Sequence, residues 1–291
     1  MGGLAGLALE LEIHFSEISS YLRCEQQHFK KYVLKLAKVG DVAVNLAVGK
    51  LFHGMAQQYH ESGMTDALSL WEAETGGYDF AAGDWRLLPG MLGEYVKWYK
   101  ESGYKVLLAE KELRVPYVME DSIAQSFRRS FDVTSVTLIG TIDRLYLDAS
   151  GQYWIGEDKT TTQISGAHLL SDPQGLTYML FADELGLPVE GVLYVQVRKA
   201  NVNTARVPMV KDFPIPFADD AKRFQARQLD RVLPRVIYSK LAERESVEPS
   251  LVYRLNPLPW MRCYCDFEDL CAGEIHGRDT SSLYETVDKV R

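Results

Sequence analysis

Long hydrophobic runs and an excess of positive charge are both missing from this 291-residue sequence. No apolar run reaches the roughly 18 residues of a membrane-spanning helix, so we expect no membrane partner. Lys and Arg number 32 against 40 Asp and Glu, which gives a formal net charge of −8 at pH 7. A protein that simply coats nucleic acid is usually basic. Global charge therefore does not predict nucleic-acid binding, although an enzyme with a carboxylate–metal site can carry a basic groove locally.

Cysteine is scarce, with four residues in the chain. The N-terminal segment MGGLAGLALELEIHF has a short apolar run, but no basic residues precede it and no clear small-residue cleavage site follows. We therefore interpret it as a non-cleaved leader or an edge strand rather than a secretory signal, and we expect a cytoplasmic protein. In that compartment, metal or cluster ligation explains crowded cysteines better than disulfide bonds do.

The composition is that of a chain that buries a core, with 46% hydrophobic and 25% charged residues. It excludes a disordered tail, a collagen-like fibre and a low-complexity linker. Hydrophobic periodicity predicts the order of helices and strands. Helices are predicted over 16–37, 46–62, 65–75, 84–102, 172–185 and 219–245, the last interrupted at Pro234, and strands within 105–158 and over 189–197.

This order of elements predicts an α/β fold in which a mixed central sheet is flanked by helices. No linker separates two autonomous domains, so we expect a single domain over 1–291. It would contain a helical region (16–104), a sheet core (105–213), and a long helix followed by a cysteine-rich tail (214–291).

The most informative segment is 136–161, VTLIGTIDRLYLDASGQYWIGEDKTT. Two strand-like runs flank a turn-forming cluster, in which Gly151 stands where a positive φ would be needed. If the loop is 149–151, Asp143 lies directly opposite Glu157, with Cβ atoms about 4.5–5.5 Å apart. Lys159 lies two residues beyond Glu157 and therefore on the same face.

The hairpin around this carboxylate pair is otherwise apolar on both faces, which predicts that both faces are covered. Two facing carboxylates repel each other, and burial makes it harder to keep both ionised. Either one is protonated, or a cation lies between them, or the pair reaches solvent at the hairpin end. A cation at such oxygen ligands would be Mg²⁺ or Mn²⁺.

Five segments resemble motifs of a known family. GTID (140–143) and EDKT (157–160) resemble the paired motifs of the PD-(D/E)XK nucleases, in particular the RecB-like exonuclease branch. GKLFH (49–53) resembles the upstream histidine motif of that branch, and QGLTY (174–178) its Gln-x-x-x-Tyr motif. SSYLRC (19–24) resembles an element of members that carry an iron–sulfur cluster, such as AddB-type and CRISPR-associated nucleases. The resemblance implies a restriction-endonuclease-like fold.

The resemblance also implies a role for each matched residue. Asp143 and Glu157, with His53, would ligate Mg²⁺ or Mn²⁺, which activates water and stabilises charge on the scissile phosphate. Lys159 would orient or help deprotonate that water. Gln174 and Tyr178 would hold the DNA backbone or Lys159.

Each of these residues also has a structural interpretation. A histidine in an amphipathic helix is more often structural than a ligand when it is taken alone. Tyr178 is equally credible as core, and Gln174 as a residue that opens a helix. The strand 108–115 offers Glu110 or Glu112 as a further carboxylate, and the sequence does not decide between them.

The four cysteines are Cys24, Cys263, Cys265 and Cys271. Four thiolates suit either a [4Fe–4S] cluster or structural Zn²⁺. The one-plus-three arrangement resembles the iron–sulfur cluster of the family, although Arg262 stands where the first tail cysteine is expected and Cys263 is displaced by one. We expect a structural iron–sulfur cluster that fastens the first helix to the tail, with zinc or thiols without a metal as the alternatives.

Together these features predict a Mg²⁺- or Mn²⁺-dependent deoxyribonuclease of bacterial or phage type, an exonuclease on single-stranded DNA ends with a role in DNA repair. Two alternatives stay open. One is a non-catalytic DNA-end-binding module. The other is a partner-dependent subunit of a helicase–nuclease or CRISPR adaptation complex.

Overall fold

A computed structural model describes residues 9–38, 44–77, 83–117, 133–167, 169–205 and 208–242, together with 267, 270, 271, 279, 282 and 284–286. In chain order the elements are β1 (Leu9–His14), α1 (Phe15–Arg23), α2 (Glu25–His28), β2 (Leu36–Lys38), α3 (Val44–Ser62), α4 (Met64–Thr75), α5 (Leu88–Ser102), β3 (Lys105–Tyr117), β4 (Val133–Leu147), β5 (Tyr153–Thr161), α6 (Pro173–Ala182), β6 (Val189–Arg198), β7 (Val210–Pro216), α7 (Asp219–Ala242) and β8 (Tyr284–Thr286). None of the helices in these parts of the chain is both long and apolar enough to cross a membrane.

The chain divides into two compact units. The first comprises Met1–Asp41, Arg114–Gly140 and Arg223–Arg291, and the second comprises Val42–Leu113 and Thr141–Lys222. We call them the first and the second unit. The prediction of one nuclease domain over 1–291 stays a prediction.

In the first unit, β1 pairs in parallel with the beginning of β4, and β2 pairs antiparallel with β8. The apolar N-terminal segment therefore contains a strand over Leu9–His14, as one of its two interpretations predicted. Burial along α7 explains why that helix continues through Pro234, where the sequence predicted an interruption. Its buried side chains recur at helical spacing on both sides of the proline, and their packing compensates for the hydrogen bond that proline cannot donate; they are Leu229, Leu233, Val236, Ile237 and Leu241.

The single helix predicted over 16–37 is wrong. Helix α1 ends at Arg23 because Cys24 has an extended backbone, with φ −164° and ψ 120°. A short helix and a π-helical turn follow, and then Lys35 adopts a positive φ of 53° before β2 begins. A left-handed residue ends a helix, which hydrophobic spacing does not reveal.

The second unit contains a mixed sheet. Within it β4 pairs antiparallel with β5, β5 pairs in parallel with β6, and β6 pairs antiparallel with β7. Helices α3, α4, α5 and α6 belong to the same unit. The predicted α/β fold, with a mixed central sheet and flanking helices, is confirmed.

Helix α3 packs its apolar stripe into the main core of this unit. Val48, Phe52, Met55 and Ala56 follow the i, i+4, i+7, i+8 spacing of one helix face, and all four are buried. Tyr146 of β4 and Trp154 of β5 lie in the same cluster. The stripe therefore fixes which way α3 faces, and with it the direction of the neighbouring His53.

The β4–β5 hairpin has the predicted register. Arg144 pairs with Gly156 and Leu147 with Tyr153, which is the register expected for a loop over 149–151. The amide of Asp148 donates to the carbonyl of Gln152 at 3.0 Å and closes the ladder. Gly151 has a φ of 84°, which is the conformation its place in the turn required.

Gly151→Ala is expected to lower the free energy of unfolding by about 1–2 kcal/mol, because a Cβ is disfavoured at positive φ. Chemical denaturation followed by circular dichroism measures this change. Gly151→Asn is the matched control, since asparagine tolerates the left-handed region better and should lose less. Equal stability of the two variants would contradict a turn that depends on this φ.

Candidate active site

Three potential metal ligands meet in the second unit. One ligand atom each from His53 of α3, Glu110 of β3 and Asp143 of β4 lies within 4.8 Å of the other two. The Nδ1 of His53 is 3.3 Å from Oδ2 of Asp143 and 4.0 Å from Oε1 of Glu110. One imidazole and two carboxylates form a donor set that fits Mn²⁺ or Mg²⁺.

Glu110 is the ligand that the sequence left undecided. It has a φ of 46°, which is uncommon for a residue other than glycine, and it lies inside β3. Glu112 is exposed instead. Strand alternation alone places both glutamates on the same face, so only the local distortion of the backbone distinguishes them.

Asp143 is nearly fully buried, and its Oδ2 accepts a 2.7 Å hydrogen bond from the backbone N–H of Asp158. Burial raises the pKa of Asp143, but the adjacent His53 and this hydrogen bond lower it by more. The net shift of the pKa is therefore downward. Burial lowers the pKa of His53, and the charge of Asp143 outweighs it and raises that pKa to about 9. Without a cation, the two groups form an ion pair.

A second group of side chains, which includes Lys159, forms a closed ring of hydrogen bonds. The ammonium of Lys159 lies 2.5 Å from Oε1 of Glu157 and donates to Oε1 of Gln174 at 2.7 Å. Nε2 of Gln174 donates to the hydroxyl of Tyr178 at 2.7 Å, and that hydroxyl donates to Oε2 of Glu157 at 2.5 Å. Every polar atom of the ring has a partner, so the ammonium is held in one place.

The charges in this ring depend on one another. Burial and the nearby Asp143 raise the pKa of Glu157 to about 7. Burial lowers the pKa of Lys159, but Glu157 raises it by more, so the net shift is upward and the amine stays protonated. Asp143 and Glu157 therefore repel each other in the way that the predicted hairpin pairing implied.

Helix α6 begins so that Gln174 and Tyr178 face Lys159. The carboxylate of Asp172 caps the helix by accepting a hydrogen bond from the backbone N–H of Gln174 at 3.0 Å, and Pro173 occupies the first turn. Gly175 lies directly over Tyr194 of β6, and a Cβ there would overlap the tyrosine hydroxyl. The missing side chain lets the helix approach the sheet closely enough for the ring to close.

Gly175→Ala is expected to destabilise the fold by about 1–3 kcal/mol through this overlap. It should also slow any reaction that depends on Lys159, because a displacement of about 1 Å costs up to 10²-fold in rate. The double variant Gly175→Ala/Tyr194→Phe, which removes the overlapping hydroxyl, should recover part of both losses. Thermal unfolding and cleavage rates measure them, and no recovery in the double variant would contradict the packing argument.

The structure brings the predicted site residues into two adjacent groups. His53 and Asp143 lie together with Glu110, whereas Glu157 lies in the ring around Lys159. Of the predicted cluster ligands, Cys24 is half-buried and Cys271 is buried, both in the first unit. The two remaining predicted ligands, Cys263 and Cys265, lie outside the described residues.

A mixed sheet in which one strand carries an aspartate and the neighbouring strand a Glu-x-Lys segment is an arrangement suited to metal-dependent phosphodiester cleavage. The family model of the PD-(D/E)XK nuclease superfamily matches residues 13–272. The chain belongs to this superfamily. No curated protein matches the chain in sequence.

Two solved structures align with most of this chain. One, from Eubacterium rectale and described as a candidate exonuclease, aligns with 11% identity over 87% of this chain and 88% of that one, with a TM-score of 0.52. The crystal structure of SSO0001 aligns with 12% identity over 92% of this chain and 89% of that one, with a TM-score of 0.42.

Proposed function

We propose that this chain is a Mg²⁺- or Mn²⁺-dependent deoxyribonuclease that hydrolyses DNA as an exonuclease on single-stranded ends. The observation that carries the proposal is the ligand group of His53, Glu110 and Asp143, with the buried ammonium of Lys159 held beside Glu157. Membership of the nuclease superfamily supports hydrolysis of DNA. The preference for ends is supported by the fold likeness to the candidate exonuclease from Eubacterium rectale.

A bound divalent cation lowers the pKa of a water molecule and stabilises negative charge on phosphate oxygens. The side chains of this protein supply the rest. Asp143 and His53 orient toward the cation site, and Glu157 adds a carboxylate whose repulsion by Asp143 a cation would relieve. Two of the three N–H donors of Lys159 are used by Glu157 and Gln174, and the third would donate to the attacking water or to the phosphate, where the ammonium would neutralise charge in the transition state.

Gln174 and Tyr178 position Lys159 in this proposal. Both are bonded within the ring, so neither has to contact DNA in order to matter for the reaction. The hydroxyl of Tyr178 also lies 3.2 Å from the carbonyl oxygen of Thr141, two residues before Asp143. The same hydroxyl thus connects the ring to the strand that carries the aspartate.

The test is cleavage of end-labelled DNA by the purified chain. We expect stepwise shortening of linear single strands with Mg²⁺ or Mn²⁺, none with EDTA, and resistance of circular single strands. Cleavage of the circles would show an endonuclease and refute the end preference. Binding of DNA ends without any cleavage would refute the enzyme and favour a non-catalytic or partner-dependent subunit of a helicase–nuclease or CRISPR adaptation complex.

We also propose that Cys24, Cys263, Cys265 and Cys271 hold a structural [4Fe–4S] cluster. Cys24 interrupts two helices with an extended backbone, and Cys271 is buried in the same unit, which is compatible with a role as ligands. Anaerobic purification should yield brown protein with about four irons per chain. Colourless protein with one zinc per chain would contradict the cluster.

A further inference from the structure

Arg144 and Asp158 form an ion pair in the interior of the second unit, and both side chains are 0% exposed. The Nη2 of Arg144 lies 3.4 Å from Oδ2 of Asp158. Within the described residues, neither oxygen of this carboxylate accepts a well-aligned hydrogen bond and Nε and Nη2 of the guanidinium donate none, although the hydroxyl of Tyr95 adjoins both side chains. Burying two charges with so few hydrogen bonds costs free energy, which the attraction between them often only partly offsets.

The pair alternates in sequence with the candidate active-site residues. Arg144 directly follows Asp143, and Asp158 lies between Glu157 and Lys159. Asp158 also donates its backbone N–H to the carboxylate of Asp143. Any shift of the pair therefore moves the main chain of the site itself.

Arg144 reaches the ligand group directly. Its Nη1 donates to the backbone carbonyl of Asp143 and lies 3.5 Å from Oε1 of Glu110. One guanidinium thus contacts two potential ligand residues through Nη1 and Asp158 through Nη2. Planar guanidinium donors have the fixed geometry needed to orient several acceptors at once.

The buried surroundings of the guanidinium screen its charge only weakly. Tyr95 and Tyr146 are fully buried next to it, and their hydroxyls lie 3.1 Å apart. The guanidinium of Arg144 carries a positive charge because arginine keeps its proton in proteins, and the carboxylate of Asp158 lies 3.4 Å away. In an environment of low polarity, an uncompensated positive charge would repel a cation at the neighbouring ligands.

We propose that Arg144 and Asp158 are positioning residues of the metal site. Arg144 orients Glu110 and the main chain of Asp143, and Asp158 offsets the positive charge so that a divalent cation can bind beside it. This inference rests on the metal dependence proposed above. It assigns a role to two residues that touch neither the attacking water nor the phosphate.

The test is calorimetric titration with Mn²⁺ alone, without DNA. Asp158→Asn keeps the shape but removes the compensating charge, so we expect Mn²⁺ to bind about tenfold more weakly. Arg144→Met removes the positive charge, so Mn²⁺ should bind more tightly, while cleavage at saturating Mn²⁺ falls about tenfold or more because Glu110 loses its partner. The double variant lacks both charges of this pair, and its Mn²⁺ affinity should return to within about threefold of the natural protein.

Opposite shifts in affinity distinguish this role from a purely structural one, which would weaken Mn²⁺ binding in both single variants. The exposed pair of Arg114 and Glu12 in the first unit is the matched control, and Arg114→Met and Glu12→Gln should leave Mn²⁺ affinity unchanged. Unchanged affinity in Asp158→Asn, or a double variant no tighter than Asp158→Asn, overturns the inference even if Arg144→Met does not fold. Failure of the natural protein to bind Mn²⁺ would instead refute the proposed metal dependence.

Discussion

Asp143→Asn is expected to reduce DNA cleavage by at least about 10³-fold while leaving the fold intact. The amide keeps an oxygen that can accept from the backbone of Asp158, so the hairpin should not open. It loses the negative charge that faces His53 at 3.3 Å and would face a cation. Single-turnover measurements should therefore show the loss of cleavage. Titration with Mn²⁺ should show an affinity about 100-fold lower.

The matched control is Asp66→Asn, because Asp66 is exposed in the first turn of α4. It should change neither cleavage nor Mn²⁺ affinity. Thermal unfolding has to show that both variants fold. A folded Asp143→Asn protein with undiminished cleavage would remove Asp143 from the site.

Lys159→Met is expected to lower cleavage by about 10²–10³-fold, because it removes the only donor in the ring that carries a positive charge toward the proposed phosphate position. In contrast to Asp143→Asn, it should retain Mn²⁺ binding or strengthen it, since the ammonium no longer competes for Glu157. Cleavage rates at saturating Mn²⁺, measured together with Mn²⁺ titration, separate loss of chemistry from loss of metal.

Lys105→Met is the control for Lys159, since Lys105 is an exposed lysine at the start of β3 in the same unit. We expect it to cleave at the natural rate. Lys159→Arg should not restore cleavage, because a planar guanidinium cannot replace a point charge that contacts Glu157 and Gln174 at 2.5 and 2.7 Å. Equal loss of Mn²⁺ binding in Lys159→Met and Asp143→Asn would contradict separate roles for the two residues.

The hairpin could be predicted from the sequence because its turn determines its register. Asp148 accepts hydrogen bonds from the backbone of Ser150 and Gln152, and Gly151 supplies the positive φ, so local residues define the loop. Once the loop is known, alternation along two strands places Asp143 opposite Glu157 without any tertiary information. The prediction of a single helix over 16–37 was wrong for the converse reason. The helix is broken by the backbone conformations of Cys24 and Lys35, which the residue types do not indicate.

The candidate site was only partly predictable for a similar reason. Glu110 joins His53 and Asp143 through a left-handed distortion within β3, and a strand pattern assumes that no such distortion exists. Arg144 and Asp158 lie in the two matched segments, but strand periodicity does not indicate that they pair in the interior. A sequence pattern does not give burial, and it is the absence of solvent that distinguishes this pair from an ordinary surface ion pair.

Anomalous scattering from crystals soaked in Mn²⁺ tests the central claim most directly. The structure predicts one strong peak among His53, Glu110 and Asp143, within about 2.5 Å of a carboxylate oxygen, with the ammonium of Lys159 beside Glu157. No peak at these residues at saturating Mn²⁺, in crystals whose enzyme cleaves DNA when dissolved, would contradict a cation-dependent site at this place.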